Sequence, residues 1–154
     1  MLYRIEKERL SVSLTLAGGV RVDGHIFVQP QAYGYSGHEH AIDIFNGTEP
    51  FVPVQTEHGV IFIAKDRVVE VDGIEPEDAA IDEMRRASSR SASLEVTLAG
   101  GETRAGTVLL EMPSDRPRLL DFLNRLEDRF LAITSDDGVR LINTRMIERV
   151  RPLD

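Results

Sequence analysis

The sequence predicts a mostly β protein made of two small five-stranded barrels in tandem, each preceded by a short helix. Three observations carry that reading. The first is an internal repeat: Leu14-Thr15-Leu16-Ala17-Gly18-Gly19, then Gly24-His25-Ile26-Phe27-Val28, returns 82 residues later as Val96-Thr97-Leu98-Ala99-Gly100-Gly101, then Gly106-Thr107-Val108-Leu109-Leu110. Farther along, Asp43-Ile44-Phe45-Asn46 answers to Asp121-Phe122-Leu123-Asn124. Phe51-Val52-Pro53-Val54 and Gly59-Val60-Ile61-Phe62-Ile63 answer to Phe130-Leu131-Ala132-Ile133 and Gly138-Val139-Arg140-Leu141-Ile142, each displaced by 79. A repeat that keeps its apolar positions and its glycines is two copies of one fold. The second observation is the period-two alternation within the repeated runs, and the third is a glycine inside the second strand of each copy.

In the first copy, Leu10 to Leu16 alternates apolar with hydroxyl residues, which places one face in a core and the other in solvent. Ala17-Gly18-Gly19 supplies a tight reversal, and the pattern resumes through Val20, Val22, Ile26 and Val28, so these two strands form a hairpin. Gly24, matched by Gly106, marks a bend or a close backbone approach, which is how a small sheet curls into a barrel. After a loop from Gln29 to Glu39, a third strand is expected around Ala41 to Phe45, continuing past a turn at Asn46-Gly47-Thr48 into Phe51 to Gln55. A fourth is expected at Val60 to Ala64 and a fifth at Arg67 to Val71. The second copy has counterparts at Arg118 to Leu123, Phe130 to Thr134, Val139 to Ile142 and Met146 to Val150. Leu119, Leu123 and Leu126 also fit helical spacing, but the twin segment favours a strand. Between the copies, proline and acids lead, Ala80, Ile81, Met84 and Ala87 share a stripe, and arginines close the run, as a short amphipathic helix prefers. Tyr3 to Arg9 fits a weaker helix. The expected organisation is a first barrel with its helix over 1–73, a helical linker over 74–92 and a second barrel over 93–154.

Units of about 65 residues bury only about 60% of their unfolded surface, so each gains by packing on its twin or on another chain. The chain has no cysteine, which removes disulfides, thiolate metal sites and cysteine nucleophiles. No apolar run approaches membrane-spanning length, and the charged start lacks a signal-peptide core, so a cytoplasmic protein with no membrane partner is expected. The net charge of -8 repels phosphate backbones on average. The second copy nevertheless carries nine arginines and no lysine, so a local cationic patch is compatible with the acidic total.

A short helix, a strand, a Gly turn, a bent strand with a central Gly, Asp-x-x-Asn and a short final strand pair resemble the Sm-like family of small five-stranded, SH3-like barrels. The likeness covers most of both repeats and is closest to bacterial Sm-like domains of undefined role. The resemblance implies rings closed by pairing the fourth strand of one barrel with the fifth of the next, and it implies RNA binding near Asp43, Asn46, Asp121 and Asn124. The family's spacing is D-x-x-x-N, whereas this chain has D-x-x-N, and the family's Ile-Arg-Gly run is absent. An RNA-binding rim would add Arg125, Arg129, Arg140, Asn143 and Arg145.

Other candidate chemistry is sparse. His25, His38 and His40, with His38-Glu39-His40 placing two imidazoles on one side of an extended segment, offer nitrogen ligands for a divalent metal. The plainer reading is a solvated loop, since the second copy has no histidine. Asp43 and Asn46, like Asp121 and Asn124, also suit bonding to their own backbone beside a turn. No catalytic set or nucleotide fingerprint stands out, so neither an enzyme nor a cofactor is expected. The expectation is a non-enzymatic tandem barrel protein of assembly or protein partner binding, a homo-oligomer through its barrel edge strands. RNA binding is the alternative, and net charge weighs against it.

Overall fold

The computed structural model describes residues 8–29, 39–75, 90–110 and 118–153. The first half contains strands β1 (Glu8–Leu16) and β2 (Arg21–Val28), helix α1 (Ala41–Phe45), and strands β3 (Phe51–Thr56), β4 (Gly59–Ala64) and β5 (Val68–Ile74). The second contains β6 (Arg90–Leu98), β7 (Thr103–Leu110), helix α2 (Leu119–Arg125), β8 (Phe130–Ser135), β9 (Gly138–Asn143) and β10 (Ile147–Pro152). A single 3-10 turn introduces β5 and another introduces β10. All ten strands belong to one antiparallel sheet in the order β10-β6-β7-β8-β9-β5-β1-β2-β3-β4. Each half therefore has its fifth strand beside its first and its fourth strand at the far end. Among the described residues the sheet does not close on itself, and β10 and β4 are its two edges.

Local chemistry explains the matching halves. Gly19 and Gly101, with φ of 89° and 93°, turn the β1–β2 and β6–β7 hairpins in a conformation that side chains resist. Past those turns β2 pairs its backbone with β3 at His25 and Gln55, and β7 with β8 at Thr107 and Thr134. At both crossings a glycine lets the strands approach: a Cβ on Gly24 would overlap the Gln55 carbonyl oxygen, and one on Gly106 the Thr134 carbonyl oxygen. The glycines inside β2 and β7 are thus close-approach positions, as their placement predicts.

The segments expected as third strands, Ala41 to Phe45 and Arg118 to Leu123, are helical instead. In α1 the two buried residues, Ala41 and Phe45, lie one turn apart on the core side. The Asp43 carboxylate accepts the His40 backbone N–H at 3.1 Å, closing the first turn. In α2, Phe122 is buried, and Leu119 and Leu123 pack on the second core at helical spacing, joined by Leu126 just past the helix. The strand count survives because β3 and β8 alone supply the third strands. Of the expected linker helix, residues 76–89 lie outside the described residues, while Ile74 ends β5 and Arg90 to Ala92 begin β6. The first part of the expected N-terminal helix also lies outside them, and Glu8 and Arg9 open β1.

Two cores form, one per half, and they share the β8–β9 hairpin. Phe130, Val139 and Leu141 enter the first core beside Leu14, Phe45 and Val71. Leu131, Ile133 and Ile142, on the opposite face, enter the second core with Leu94, Leu98 and Phe122. Among the described residues no helix is long and apolar enough to cross a membrane.

Candidate assembly surface at the sheet edges

The two halves meet where β9 adds to β5, with Glu70 opposite Ile142, Val71 opposite Leu141 and Ile74 opposite Val139. This joins the fourth strand of one half to the fifth strand of the other. Charged groups on the strands reinforce the contact. Glu70, almost fully buried, accepts two hydrogen bonds from Arg104, Nε to Oε2 at 2.9 Å and Nη2 to Oε1 at 2.7 Å. Arg140 donates to Asp72 at 2.9 Å and stands 3.6 Å from Glu70. A bidentate guanidinium–carboxylate pair is directional as well as strong, so it fixes register. These charges line a cleft of about 490 Å³ between the two Gly-Gly turns, where guanidinium and carboxylate groups neutralise one another.

Amide side chains complete the joint. Asn46, the residue after α1, grips the start of β8 in both directions: its Oδ1 accepts the Phe130 N–H at 2.7 Å and its Nδ2 donates to the Phe130 carbonyl at 3.1 Å. The Phe130 ring then meets Phe45 edge-on, with centroids 5.3 Å apart. Asn143, fully buried at the end of β9, donates from Nδ2 to the carbonyls of Val68 at 2.9 Å and Asp66 at 3.3 Å. Its Oδ1 accepts the Arg145 backbone N–H at 3.0 Å. Lys65 is buried on the same side and donates to the Ile44 carbonyl at 2.6 Å. Burial, and then the nearby Arg129 guanidinium, lower its pKa.

Among the described residues, the outer edges carry the same surfaces without a neighbour. Leu141 and Phe130 are 0% and 1% exposed, whereas their repeat counterparts Phe62 and Phe51 are 74% and 55% exposed. Val139 and Ile74, 6% exposed each, correspond to Val60 at 49% and Leu153 at 50%. The β3–β4 hairpin is therefore apolar on both faces, with Val52, Val54 and Ile63 in the first core and Phe51, Val60 and Phe62 facing outward. A contiguous exposed apolar face on an edge strand marks an interaction site or an aggregation hazard.

Of the residues singled out in the sequence, Asn46, Arg129, Arg140, Asn143 and Arg145 fall at this joint. Asp43 closes α1, Asn46 holds β8, and Asn143 holds the entrance to β5. Arg129 pairs with Asp66 at 3.1 Å, Arg140 with Asp72, and Arg145 reaches Asp66 at 3.4 Å. Asp121, Asn124 and Arg125 are exposed on α2. No family model, curated protein or solved structure matches this chain. His38 lies outside the described residues, His25 is exposed on β2, and His40 stands beside Asp43 at 3.6 Å. Among the described residues no three His, Asp or Glu side chains cluster as metal ligands would. Sequence reasoning did not single out Glu70, Asp72 and Arg104, or the outward face of Phe51, Val60 and Phe62. The second set had a signal in the sequence: Val60-Ile61-Phe62-Ile63-Ala64 is continuously apolar, so the strand needs cover on both faces.

Proposed function

We propose that this chain is a non-enzymatic, cytoplasmic assembly protein, two Sm-like barrels in tandem whose working surfaces are the open edges of the fourth and fifth strands. One observation carries the reading. The first half leaves bare on β3–β4 the face that the second half buries on β8–β9 when it adds to β5. Fully burying one large apolar side chain contributes about 1.5–3 kcal/mol, and three such side chains stand exposed on one hairpin. Backbone groups on the edge strands add the directionality of sheet extension.

RNA binding is less well supported, because Arg129, Arg140 and Arg145 face acids of the first half rather than forming a free cationic rim. The test is solution mass by light scattering across a concentration series, with the ratio of absorbance at the nucleic-acid and protein maxima followed through purification. A self-associating particle or a protein complex lost on Phe62→Glu supports the proposal. A monomer that retains no partner at any concentration refutes it, and co-purified nucleic acid released by high salt restores the RNA reading.

A further inference from the structure

Granted that the open edges are working surfaces, the two edges offer different things. On β10 the Leu153 N–H reaches the Ser93 carbonyl at 3.0 Å, so by the alternation of an antiparallel pair Pro152 turns toward the free side, where it has no N–H to give. The pairing of β10 with β6 also shifts register between Ile147 and Arg149, and Glu148, Arg149 and Arg151 put exposed charge along the strand. Bulge, proline and charge are the devices that keep an edge from pairing. The β4 edge has none of them. Its six residues, Gly59 to Ala64, are uncharged and pair with β3 without a register shift. The Lys65 N–H donates to the Pro50 carbonyl at 2.8 Å, so along the same ladder Phe51–Ala64, Pro53–Phe62 and Gln55–Val60 are the non-hydrogen-bonded pairs, as Pro53 requires. The backbone groups of Val60, Phe62 and Ala64 therefore point to the open side.

We infer that a second copy of this chain occupies the β4 edge, its own β4 running antiparallel to the first about a two-fold axis at Phe62. Directly opposed residues share a face of the sheet, so a strand pairs with its copy only about a residue and never between two. With Phe62 at the axis all three outward-pointing residues are used: Phe62 faces Phe62, and Val60 faces Ala64 on either side. An axis at Ile61 would leave Ala64 unpaired. On the outward face the row then runs from Phe51 across the small Ala64 to Val60 of the second copy, which brings two exposed apolar side chains together.

Charge selects the same register and the same occupant. A chain of net charge -8 repels its copy on average, and this contact uses a strand that carries no charge. At each end of it Glu57, 84% exposed in the hairpin turn, lies toward Arg67 of the second copy, and His58 lies toward Asp66. Arg67 is exposed and among the described residues makes no hydrogen bond or ion pair. Because the contact is isologous, it closes at two chains.

The chain has no cysteine, so single substitutions report the register. A hydrogen-bonded antiparallel pair has Cα atoms about 5.5 Å apart, within disulfide reach. Under mild oxidation Phe62→Cys chains are expected to form a covalent dimer faster than Leu153→Cys chains, whose cysteine would be exposed beyond the other edge strand. Glu57→Arg and Arg67→Glu each set like charges together at both ends of the contact and should weaken association about tenfold. An equal mixture of these two variants restores opposite charges at both ends. It should recover the wild-type association, read by light scattering as a plateau at twice the chain mass. Phe62→Cys chains that link no faster than Leu153→Cys chains overturn the inference, and so does a mixture of charge variants that associates no more tightly than either alone. A monomeric wild-type chain that holds another protein also overturns it, while leaving the edges as working surfaces. A wild-type chain that neither associates nor holds a partner removes both readings together.

Discussion

The inner joint, β9 on β5, and the bare outer edges, β4 and β10, are built from the same repeat but dressed differently. At the inner joint a buried carboxylate, two guanidiniums and two buried or half-buried amides fix one register. At the outer edges Ile61 stands in place of Arg140, Ala64 in place of Asn143 and Arg149 in place of Glu70. The contrast has a physical reason. Tethered segments meet at high effective concentration, so their contact tolerates the desolvation cost of buried charge and gains specificity from it. The outer edges, with no tethered partner to offset that cost, carry apolar area instead. Of two equivalent surfaces, the one covered within the chain is thus ringed by charge and amides, and the bare one is apolar.

Matched truncations separate the two regions most sharply. Phe130→Ala removes a ring that is 1% exposed and packed edge-on against Phe45, so it is expected to cost about 3–5 kcal/mol of stability. Phe51→Ala, at the corresponding position but 55% exposed, should change the stability of the dissociated chain by less than about 0.5 kcal/mol. Denaturant unfolding of both variants at a concentration where chains are separate checks the pair. Equal losses would mean that the outward face of β3 is already covered within one chain.

A smaller difference is expected for the charged positions. Glu70→Ala leaves Arg104 without its bidentate acceptor and Arg140 with Asp72 alone. Removing one member of a buried pair costs about 3–5 kcal/mol. The side chains of Arg104 and Arg140 are 27% and 30% exposed, so water compensates in part and a loss of about 2–3 kcal/mol is expected. Arg149→Ala, at the exposed counterpart, should stay within about 0.5 kcal/mol. Urea titrations of the two variants provide the measurement, and a stable Glu70→Ala chain would show that apolar burial alone sets the inner register.

How far the sequence foretold these regions depends on the range of the interaction. Strands, hairpin turns and the close approach at Gly24 and Gly106 were readable because alternation and backbone freedom are local properties. Helices α1 and α2 were missed because five to seven residues hold few turns, and Ala41 to Phe45 is apolar enough to pass for a buried strand; tertiary packing of Phe45 and Phe122 decided it. The repeat announced two cores, but the sharing of Phe130 and Leu141 with the first core depends on a contact between residues far apart in sequence. For the same reason Asn46 could be paired with Asn124 by pattern, while its partner, the backbone of Phe130, could not. Glu70 and Arg104 look like ordinary strand-surface charges until β9 covers them.

The smallest expected effect comes from making the outer edge resemble the inner one. Asn143 has two tasks: it caps the 3-10 turn by accepting from Arg145 N–H, and it donates across the joint to Val68 and Asp66. Ala64, its counterpart, precedes the matching turn at Lys65–Arg67 without a side-chain cap. Ala64→Asn should stabilise the separate chain by about 0.5–1 kcal/mol through the cap alone. The denaturant midpoint at low concentration reads this gain. An unchanged midpoint would mean that Asn143 is held at its turn by its bonds to Val68 and Asp66 and not by the cap.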